Sequence, residues 1–190
     1  LMSTSKISVI GGGSFGTVIA NISAENGYEV SFWMRNKSQA EQLNRTRENS
    51  QYLPDYLLNE RIVATSDMAA AVKDSGLIFV AVPSSSFRQV VRDMVPHISE
   101  DAVLVSTTKG VESGSFDMMT QILNQEAPKA KVGVLSGPNL AMEIAKKDLT
   151  GTVIASPDEE VRKLVKSALK SKYFRVYANN DMFGVELGGS

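Results

Sequence analysis

Short runs of apolar, often β-branched residues recur along the chain, and stretches with helical spacing separate them. We predict strands from these runs, at residues 7–10, 30–33, 77–82, 103–105, 132–135, 152–155 and 174–177. Their apolar character is continuous, which is typical of strands that are covered on both faces, as in a parallel sheet. The alternation of such strands with helices predicts an α/β fold built from βαβ units.

The stretches between the runs predict helices over residues 17–26, 87–95 and 116–123, and another that begins near Ser156. In this last helix the apolar residues form one stripe, at Val161, Leu164, Val165, Ala168 and Leu169. Ser156 is predicted to cap the helix, Pro157 suits its first turn, and Glu159 completes a capping box. Residues 48–61 form the longest irregular stretch, and long loops in compact domains are often functional.

Composition and charge narrow the classes of function. The 190 residues suffice for one sizeable domain, and the 20 basic and 21 acidic side chains almost cancel. This balance gives no support for binding nucleic acid or an anionic membrane surface. The chain has no cysteine and a single histidine, so we expect no metal site. No apolar run reaches the ~20 residues of a membrane span, and residues 1–6 lack the apolar core of a signal peptide. We therefore expect a cytoplasmic protein without membrane insertion.

The first predicted strand runs directly into a glycine-rich turn that opens a helix. Its spacing is Gly11-x-Gly13-x-x-Gly16, a pattern that indicates dinucleotide binding when a strand precedes it and a helix follows. Gly11 permits a tight turn, Gly13 lets the backbone approach a diphosphate, and Gly16 lets the helix pack close to the strand. The helix N-terminus then offers free N–H groups to the phosphates. A glycine-rich turn without a ligand is the alternative.

An arginine, Arg35, follows the second predicted strand. At this place an NAD-preferring site usually has Asp or Glu, which bonds the ribose 2′-hydroxyl. A carboxylate would repel a 2′-phosphate, whereas a guanidinium can bind it through two hydrogen bonds. The cofactor is therefore expected to be NADP or NAD, and the alternative is that Arg35 is a solvated surface residue.

Later strand ends also carry polar groups that could face a ligand. Pro83 begins a hydroxyl-rich turn after one strand, and Lys109 follows the next strand ahead of a glycine. Ligands bind at the carboxyl ends of strands in open α/β sheets, and an ammonium there can hold a phosphate or polarise a carbonyl. Gly137 and Asn139 form a third such turn with free N–H groups. The alternatives are a plain surface lysine for Lys109 and a helix cap for Asn139.

Taken together, these motifs resemble the N-terminal part of the bacterial NAD(P)-dependent glycerol-3-phosphate dehydrogenases. The resemblance covers nearly the whole chain, in the family's order. The matching segments are Gly11-Gly12-Gly13-Ser14-Phe15-Gly16-Thr17, Tyr52-Leu53-Pro54, Val80-Ala81-Val82-Pro83-Ser84, Thr108-Lys109-Gly110-Val111-Glu112, Ser136-Gly137-Pro138-Asn139-Leu140-Ala141, Phe174-Arg175-Val176-Tyr177 and Gly184-Val185-Glu186-Leu187-Gly188-Gly189-Ser190. It implies a Rossmann-type, doubly wound and mostly parallel sheet with helices on both faces.

The resemblance further implies reduction of dihydroxyacetone phosphate to sn-glycerol 3-phosphate, by hydride transfer from NADPH or NADH, for glycerophospholipid synthesis. It assigns cofactor contacts to Ser14, Phe15, Arg35, Tyr52, Pro83 and Ala141, beside the glycines of the turn. Lys109 would contact both cofactor and substrate, and Gly137 and residue 139 would contact the substrate. At residue 139 the family usually has Ser or Thr, whereas this chain has Asn139.

In the family, a lysine that transfers the proton follows the Gly-Gly pair and would lie two residues beyond Ser190. We expect residues 1–180 to form the NAD(P)-binding domain and residues 181–190 to begin a helix that leads into a helical substrate domain outside this chain. Much of a homodimer contact would come from that outer part. Two alternatives remain open. One is the cofactor domain of another NADP-dependent dehydrogenase, of the ketopantoate reductase or 6-phosphogluconate dehydrogenase type. The other is a nucleotide-binding module without chemistry.

Overall fold

One eight-stranded sheet forms the centre of the protein in a computed structural model, which describes residues 4–138 and 141–189. The strands are β1 (Lys6–Ile10), β2 (Glu29–Trp33), β3 (Ile62–Thr65), β4 (Leu77–Val80), β5 (Val103–Ser106), β6 (Lys131–Ser136), β7 (Thr150–Ala155) and β8 (Phe174–Asn179). The helices are α1 (Ser14–Glu25), α2 (Lys37–Thr46), α3 (Met68–Val72), α4 (Ser84–Met94), α5 (Met119–Glu126), α6 (Ala141–Ala145), α7 (Glu159–Ala168) and α8 (Met182–Gly188).

The strand order, β3-β2-β1-β4-β5-β6-β7-β8, reverses its direction of winding beside β1. From β1 the chain moves to β2 and β3, and then returns to β4 on the other side of β1. The strands from β3 to β6 pair in parallel, so their carboxyl ends share one edge of the sheet. A reversal of this kind opens a crevice between neighbouring crossovers, and this is where open α/β sheets bind ligands.

Successive residues of each central strand join the core on opposite faces of the sheet. Leu77 and Phe79 pack with the apolar residues of α1, α2, α6 and α7, while Ile78 and Val80 pack with those of α3, α4 and α5. Because both faces are covered, most positions of the strands are apolar, which explains their nearly continuous apolar runs. The predicted Rossmann-type sheet with helices on both faces is confirmed.

The far side of the sheet departs from the parallel pattern. Strand β7 pairs antiparallel to β6 and parallel to β8. The connection between β6 and β7 holds only the short helix α6 among the described residues. The reversal leaves the five parallel strand ends of β1, β2, β4, β5 and β6 undisturbed.

The sequence analysis missed one strand, β3. Its residues alternate between buried and exposed, and Val63 is 59% exposed, so the strand lacks the continuous apolar run used to find the others. The side chain of Asn44 holds it in place, because its amide donates to the Ala64 carbonyl at 2.8 Å and accepts from the Ala64 N–H at 2.8 Å. Side-chain bonds of this kind are set by tertiary structure and leave no local pattern.

The four predicted helices all begin at residues other than those predicted, and α1 starts at Ser14 rather than at residue 17 and α4 at Ser84 rather than at residue 87. The cap of α7 is Asp158, which accepts from the Glu160 N–H at 2.8 Å, and not Ser156, whose buried hydroxyl donates to the Val132 carbonyl of β6 at 2.7 Å. The capping box at Glu159 was therefore wrong as well. Helix α5 begins at Met119 rather than at residue 116. Phe116 has a left-handed φ of 63° and lies in a turn, in which its N–H donates to the Glu112 carbonyl.

None of the helices in the described part of the chain is long and apolar enough to cross a membrane.

The packing predicts a large difference between two truncations. Phe79→Ala removes a fully buried ring from the central strand β4, and we expect it to lower the free energy of unfolding by about 3–5 kcal/mol. Val63→Ala on the exposed edge strand is the control, with an expected loss of less than about 1 kcal/mol. Urea denaturation measures both changes, and equal losses would contradict the assigned core.

Candidate functional site

A cleft of about 720 Å³ lies at the carboxyl ends of the parallel strands. Its volume falls within the range of pockets that hold small molecules and cofactors. The turns that follow β1, β2, β4, β5 and β6 all contribute to it. The lining residues are Gly11, Gly12, Gly13, Ser14, Phe15, Gly16, Trp33, Met34, Arg35, Asn36, Gln39, Tyr52, Ala81, Val82, Pro83, Ser85, Ser86, Thr107, Thr108, Lys109, Leu135 and Gly137.

At two positions of the first turn, neighbouring backbone atoms leave no room for a side chain. Gly11 has a φ of 122°, and a Cβ there would overlap the carbonyl of Ala81. A Cβ on Gly16 would overlap the carbonyl of Gly11, so only glycine lets α1 start this close to β1. These contacts fix the sharp turn between strand and helix.

Gly13 differs, because nothing in the protein requires a glycine there. Its φ of −81° suits any residue, and a Cβ would meet no protein atom within 4 Å. The open side of Gly13 faces the cleft, where a side chain would take up ligand space. Among the described residues no side chain caps α1, so the first N–H groups of the helix are left for a ligand. The turn therefore fits the diphosphate of a dinucleotide.

The charge of the lining favours an anionic ligand. Arg35 and Lys109 bring positive charge to opposite parts of the cleft, and no carboxylate occurs among the lining residues of the described chain. Arg35 is exposed at the end of β2. Its neighbour Asn36 is occupied as the cap of α2, where it accepts from the Gln39 N–H at 3.1 Å. Arg35 thus lies where a 2′-phosphate is expected, at the end of the second strand.

The turn that carries Lys109 is tied to the neighbouring strand. The Thr107 N–H donates to the Val80 carbonyl at 3.0 Å, and the Thr108 hydroxyl donates to the Val82 carbonyl at 2.6 Å. Gly110 follows with a φ of 96°. These bonds hold the turn after β5 against the end of β4, while the Lys109 side chain remains exposed to the cleft.

An arginine on α4 holds the other end of the same turn. The guanidinium of Arg88 makes two bonds to the Glu112 carboxylate, at 2.8 and 2.7 Å, and further ones to Asp117 at 3.1 Å and Glu126 at 2.7 Å. The Arg88 bonds and the Ser115 hydroxyl lower the pKa of Glu112 to about 2, and the same pairing raises the pKa of Arg88. The Arg88 cluster was not anticipated from the sequence, since its members are far apart along the chain.

Most of the residues singled out in the sequence line this one cleft. They are Gly11, Gly13, Ser14, Phe15, Gly16, Arg35, Tyr52, Pro83, Lys109 and Gly137. Ala141 lies at the start of α6, is 5% exposed, and does not line it. Asn139 lies outside the described residues. Gln39 joins the lining without having been anticipated, and Asn49 lies directly behind it within the irregular stretch 48–61.

A parallel sheet with a glycine turn at its reversal point defines the class of Rossmann-type dinucleotide-binding domains. A comparison with models of protein families identifies the family within that class. Residues 6–162 match the model of the NAD-dependent glycerol-3-phosphate dehydrogenase N-terminus. The chain belongs to this family.

Bacterial relatives extend the match over almost the whole chain. A glycerol-3-phosphate dehydrogenase [NAD(P)+] of Teredinibacter turnerae is 50% identical over 185 residues, which are 97% of this chain and 54% of the relative. The corresponding protein of Pseudomonas syringae pv. tomato is 51% identical over 184 residues, again 97% of this chain and 54% of the relative. The chain thus spans about half the length of the curated relatives it matches.

Solved structures share the fold, and a glycerol-3-phosphate dehydrogenase is among them. The crystal structure of glycerol-3-phosphate dehydrogenase from Coxiella burnetii superposes with a TM-score of 0.92 at 32% identity, over 98% of this chain and 57% of the other. A ketopantoate reductase from Ralstonia eutropha gives a TM-score of 0.66 at 17% identity, over 92% of this chain and 56% of the other, and shows the fold alone.

The lowered pKa of Glu112 predicts how stability depends on pH. A carboxyl whose pKa is lower when folded stabilises the protein above its unfolded pKa, and this contribution is lost as the pH falls toward the folded value, here about 2. We therefore expect Glu112→Gln to reduce the loss of thermal stability between about pH 5 and pH 2.

The control for this prediction is Glu159→Gln. Glu159 pairs with Lys163 on one helix face, and its side chain is 68% exposed, against 22% for Glu112. Exposed pairs of this kind contribute little to stability. Thermal unfolding midpoints across the acid range compare the variants, and a Glu112→Gln profile that parallels the wild type would contradict the stabilising role of the Arg88 pair.

Proposed function

We propose that this chain is the dinucleotide-binding part of an sn-glycerol-3-phosphate dehydrogenase [NAD(P)+]. The full-length enzyme would reduce dihydroxyacetone phosphate to sn-glycerol 3-phosphate and serve glycerophospholipid synthesis. Membership of the family supports this activity. Because the chain spans 54% of the first relative, the complete reaction belongs to the longer protein. We further propose that the full-length protein is cytoplasmic and forms a homodimer.

One observation carries the proposal: a single cleft joins the glycine turn, Arg35, Lys109 and Gly137. The helix amides at one end fit a diphosphate, and the two cations bring positive charge without a competing carboxylate in the described lining. A phosphorylated ketone and a phosphorylated dinucleotide are both anionic, so both suit these charges. A cofactor site and a substrate site in one cleft are what a hydride transfer requires.

The residues of the chain then have separate tasks in binding. The amides of the glycine turn would bind the diphosphate, with Ser14 and Phe15 at the start of α1. Arg35 would bind the 2′-phosphate through its planar guanidinium. Pro83 and Tyr52 would flank the cofactor, and Tyr52 is 43% exposed toward the cleft. Ala141 is also proposed as a cofactor contact, from the family resemblance alone.

The substrate end is proposed to lie between β5 and β6. There Lys109 would hold the substrate phosphate or polarise the ketone, and Gly137 would approach it closely, with Asn139 beside it. A bound nicotinamide would supply the hydride. The chain's own part is to orient the two reactants, since a small misplacement lowers the rate strongly.

The proton donor is proposed to come from beyond Ser190. Helix α8 ends close to the carboxyl end of β6. Gly189 caps the helix there, and a Cβ on this residue would overlap the Ser136 hydroxyl. Ser136 immediately precedes Gly137, which lines the cleft. A lysine two residues beyond Ser190, as in the family, would therefore start from a point beside the substrate end. For the alternatives of a ketopantoate or 6-phosphogluconate enzyme, or of a module without chemistry, no geometric feature gives comparable support.

The role of Arg35 predicts a selective change in affinity. Arg35→Asp should weaken NADPH binding by about 1.5–3 kcal/mol, the scale of a charged hydrogen bond, and leave NADH binding nearly unchanged. Arg175→Asp, an equal charge change on the distant strand β8, is the control. Fluorescence titration with both nucleotides measures the effect. Equal weakening of NADPH and NADH would mean that Arg35 does not bind the 2′ position.

The proposed position of the proton donor predicts how a polypeptide of these 190 residues behaves. The 190 residues should bind NADPH but reduce dihydroxyacetone phosphate slowly or not at all, because the lysine proposed to transfer the proton is not among them. Spectrophotometric assay of NADPH oxidation, beside the full-length enzyme, tests this. A normal turnover number for the 190-residue chain would contradict the assignment of the proton donor.

A further inference from the structure

Two carbonyl groups of the glycine turn are held by hydrogen-bond donors of the protein itself. The Gly12 carbonyl accepts from the Asn49 side-chain amide at 2.9 Å and from the Gln39 amide at 3.1 Å. The Gly13 carbonyl accepts from the Thr17 N–H at 3.0 Å and from the Thr17 hydroxyl at 2.7 Å. Both acceptors of the turn are thereby satisfied by the protein.

These donors form one connected chain of hydrogen bonds. The Gln39 amide donates to Asn49 Oδ1 at 3.1 Å, and the Asn49 amide donates to Thr17 Oγ1 at 2.9 Å. Thr17 Oγ1 in turn donates to the Gly13 carbonyl. Asn49 is 2% exposed, so its position is fixed by the surrounding protein. Asn49 therefore links both carbonyls of the turn, one directly and one through Thr17.

The direction of these carbonyls determines the direction of the N–H groups. In a trans peptide the carbonyl and the following N–H point to opposite sides of the peptide unit, and the described residues contain no cis peptide bond. A Gly12 carbonyl that points back to Asn49 and Gln39 turns the Gly13 N–H toward the cleft that Gly13 lines. Within the described chain this N–H has no protein partner.

The same bonds remove a repulsion. A carbonyl oxygen that faced the cleft would carry partial negative charge toward a diphosphate, and flexible glycines offer little resistance to such a flip. Donors arranged in advance around a ligand group also lower the ordering cost of binding. Keeping the Gly12 carbonyl turned away from the cleft therefore raises the affinity for a dinucleotide and favours ligands that carry a diphosphate.

We propose that Asn49, with Gln39, is a positioning residue that aims the Gly13 N–H at the diphosphate of the bound dinucleotide. The proposal rests on the proposed function, since it assumes that the cleft takes a nicotinamide dinucleotide. Both side chains are neutral amides, and Gln39 lines the cleft whereas Asn49 lies behind it. Their effect passes through the backbone of the glycine turn.

The test uses two ligands that differ in the diphosphate. NADPH carries it, whereas adenosine 2′-monophosphate retains only the part that Arg35 would bind. Asn49→Ala should weaken NADPH binding about fivefold to tenfold, and Gln39→Met about threefold, the scale of lost hydrogen bonds. Adenosine 2′-monophosphate should bind both variants within about twofold of the wild type, as measured by NMR titration.

Two control variants lie on α2, the helix that also carries Gln39. Gln42→Met removes a bond of 3.1 Å from a glutamine amide to Ser50, the residue after Asn49, and touches no glycine. Asn44→Ala removes an asparagine amide that clamps the backbone of β3 in the same manner. Both should leave NADPH binding unchanged, even where the thermal unfolding midpoint falls. Gln39 is half-buried, so Gln39→Met tests the proposal if Asn49→Ala fails to fold.

The outcomes separate this proposal from the function on which it rests. A wild-type chain that binds neither NADPH nor NADH overturns both. A wild type that binds NADPH, with Gln39→Met and Asn49→Ala unchanged or weakened equally for both ligands, overturns the positioning role alone. Selective weakening of NADPH supports it.

Discussion

Parallel pairing of β2, β1, β4, β5 and β6 brings the turns after these strands to one edge of the sheet. This pairing is what brings the groups that face the cleft together, because they lie far apart along the chain. The glycine turn and Gly137 are more than a hundred residues apart in sequence, yet they line one cavity. Since the sheet is covered on both faces, its edge is the place where backbone amides stay accessible to a ligand.

The glycine turn shows how one short segment meets two demands. Gly11 and Gly16 serve the protein, since any side chain there would overlap the backbone of Ala81 or of Gly11. Gly13 serves the cleft, where its missing side chain leaves space that no protein atom fills. Such freedom also makes the turn easy to misdirect, because glycine resists rotation poorly. The amides of Asn49 and Gln39 supply the restraint that the glycines lack.

The sequence was sufficient to predict those features that depend on local pattern. Continuous apolar runs marked the buried strands, and position after a strand end was enough to select Arg35, Lys109 and Gly137 as cleft residues. It was not sufficient where tertiary contacts decide. Strand β3 alternates in burial and gave no apolar run, and the Ser156 hydroxyl was taken up by Val132 rather than by α7. Asn49 lay in a segment whose length suggested function, but nothing local identified its partner Gly12.

The positive charge of the cleft arises from placement, since the chain as a whole carries a formal net charge of −1. Glu112 follows Lys109 by three residues and would be a natural partner for its ammonium. Instead the Arg88 guanidinium binds that carboxylate through two hydrogen bonds. The Arg88 pair therefore anchors the turn and also keeps a negative charge away from Lys109. The ammonium has no ion pair among the described residues, and so remains available to an anionic ligand.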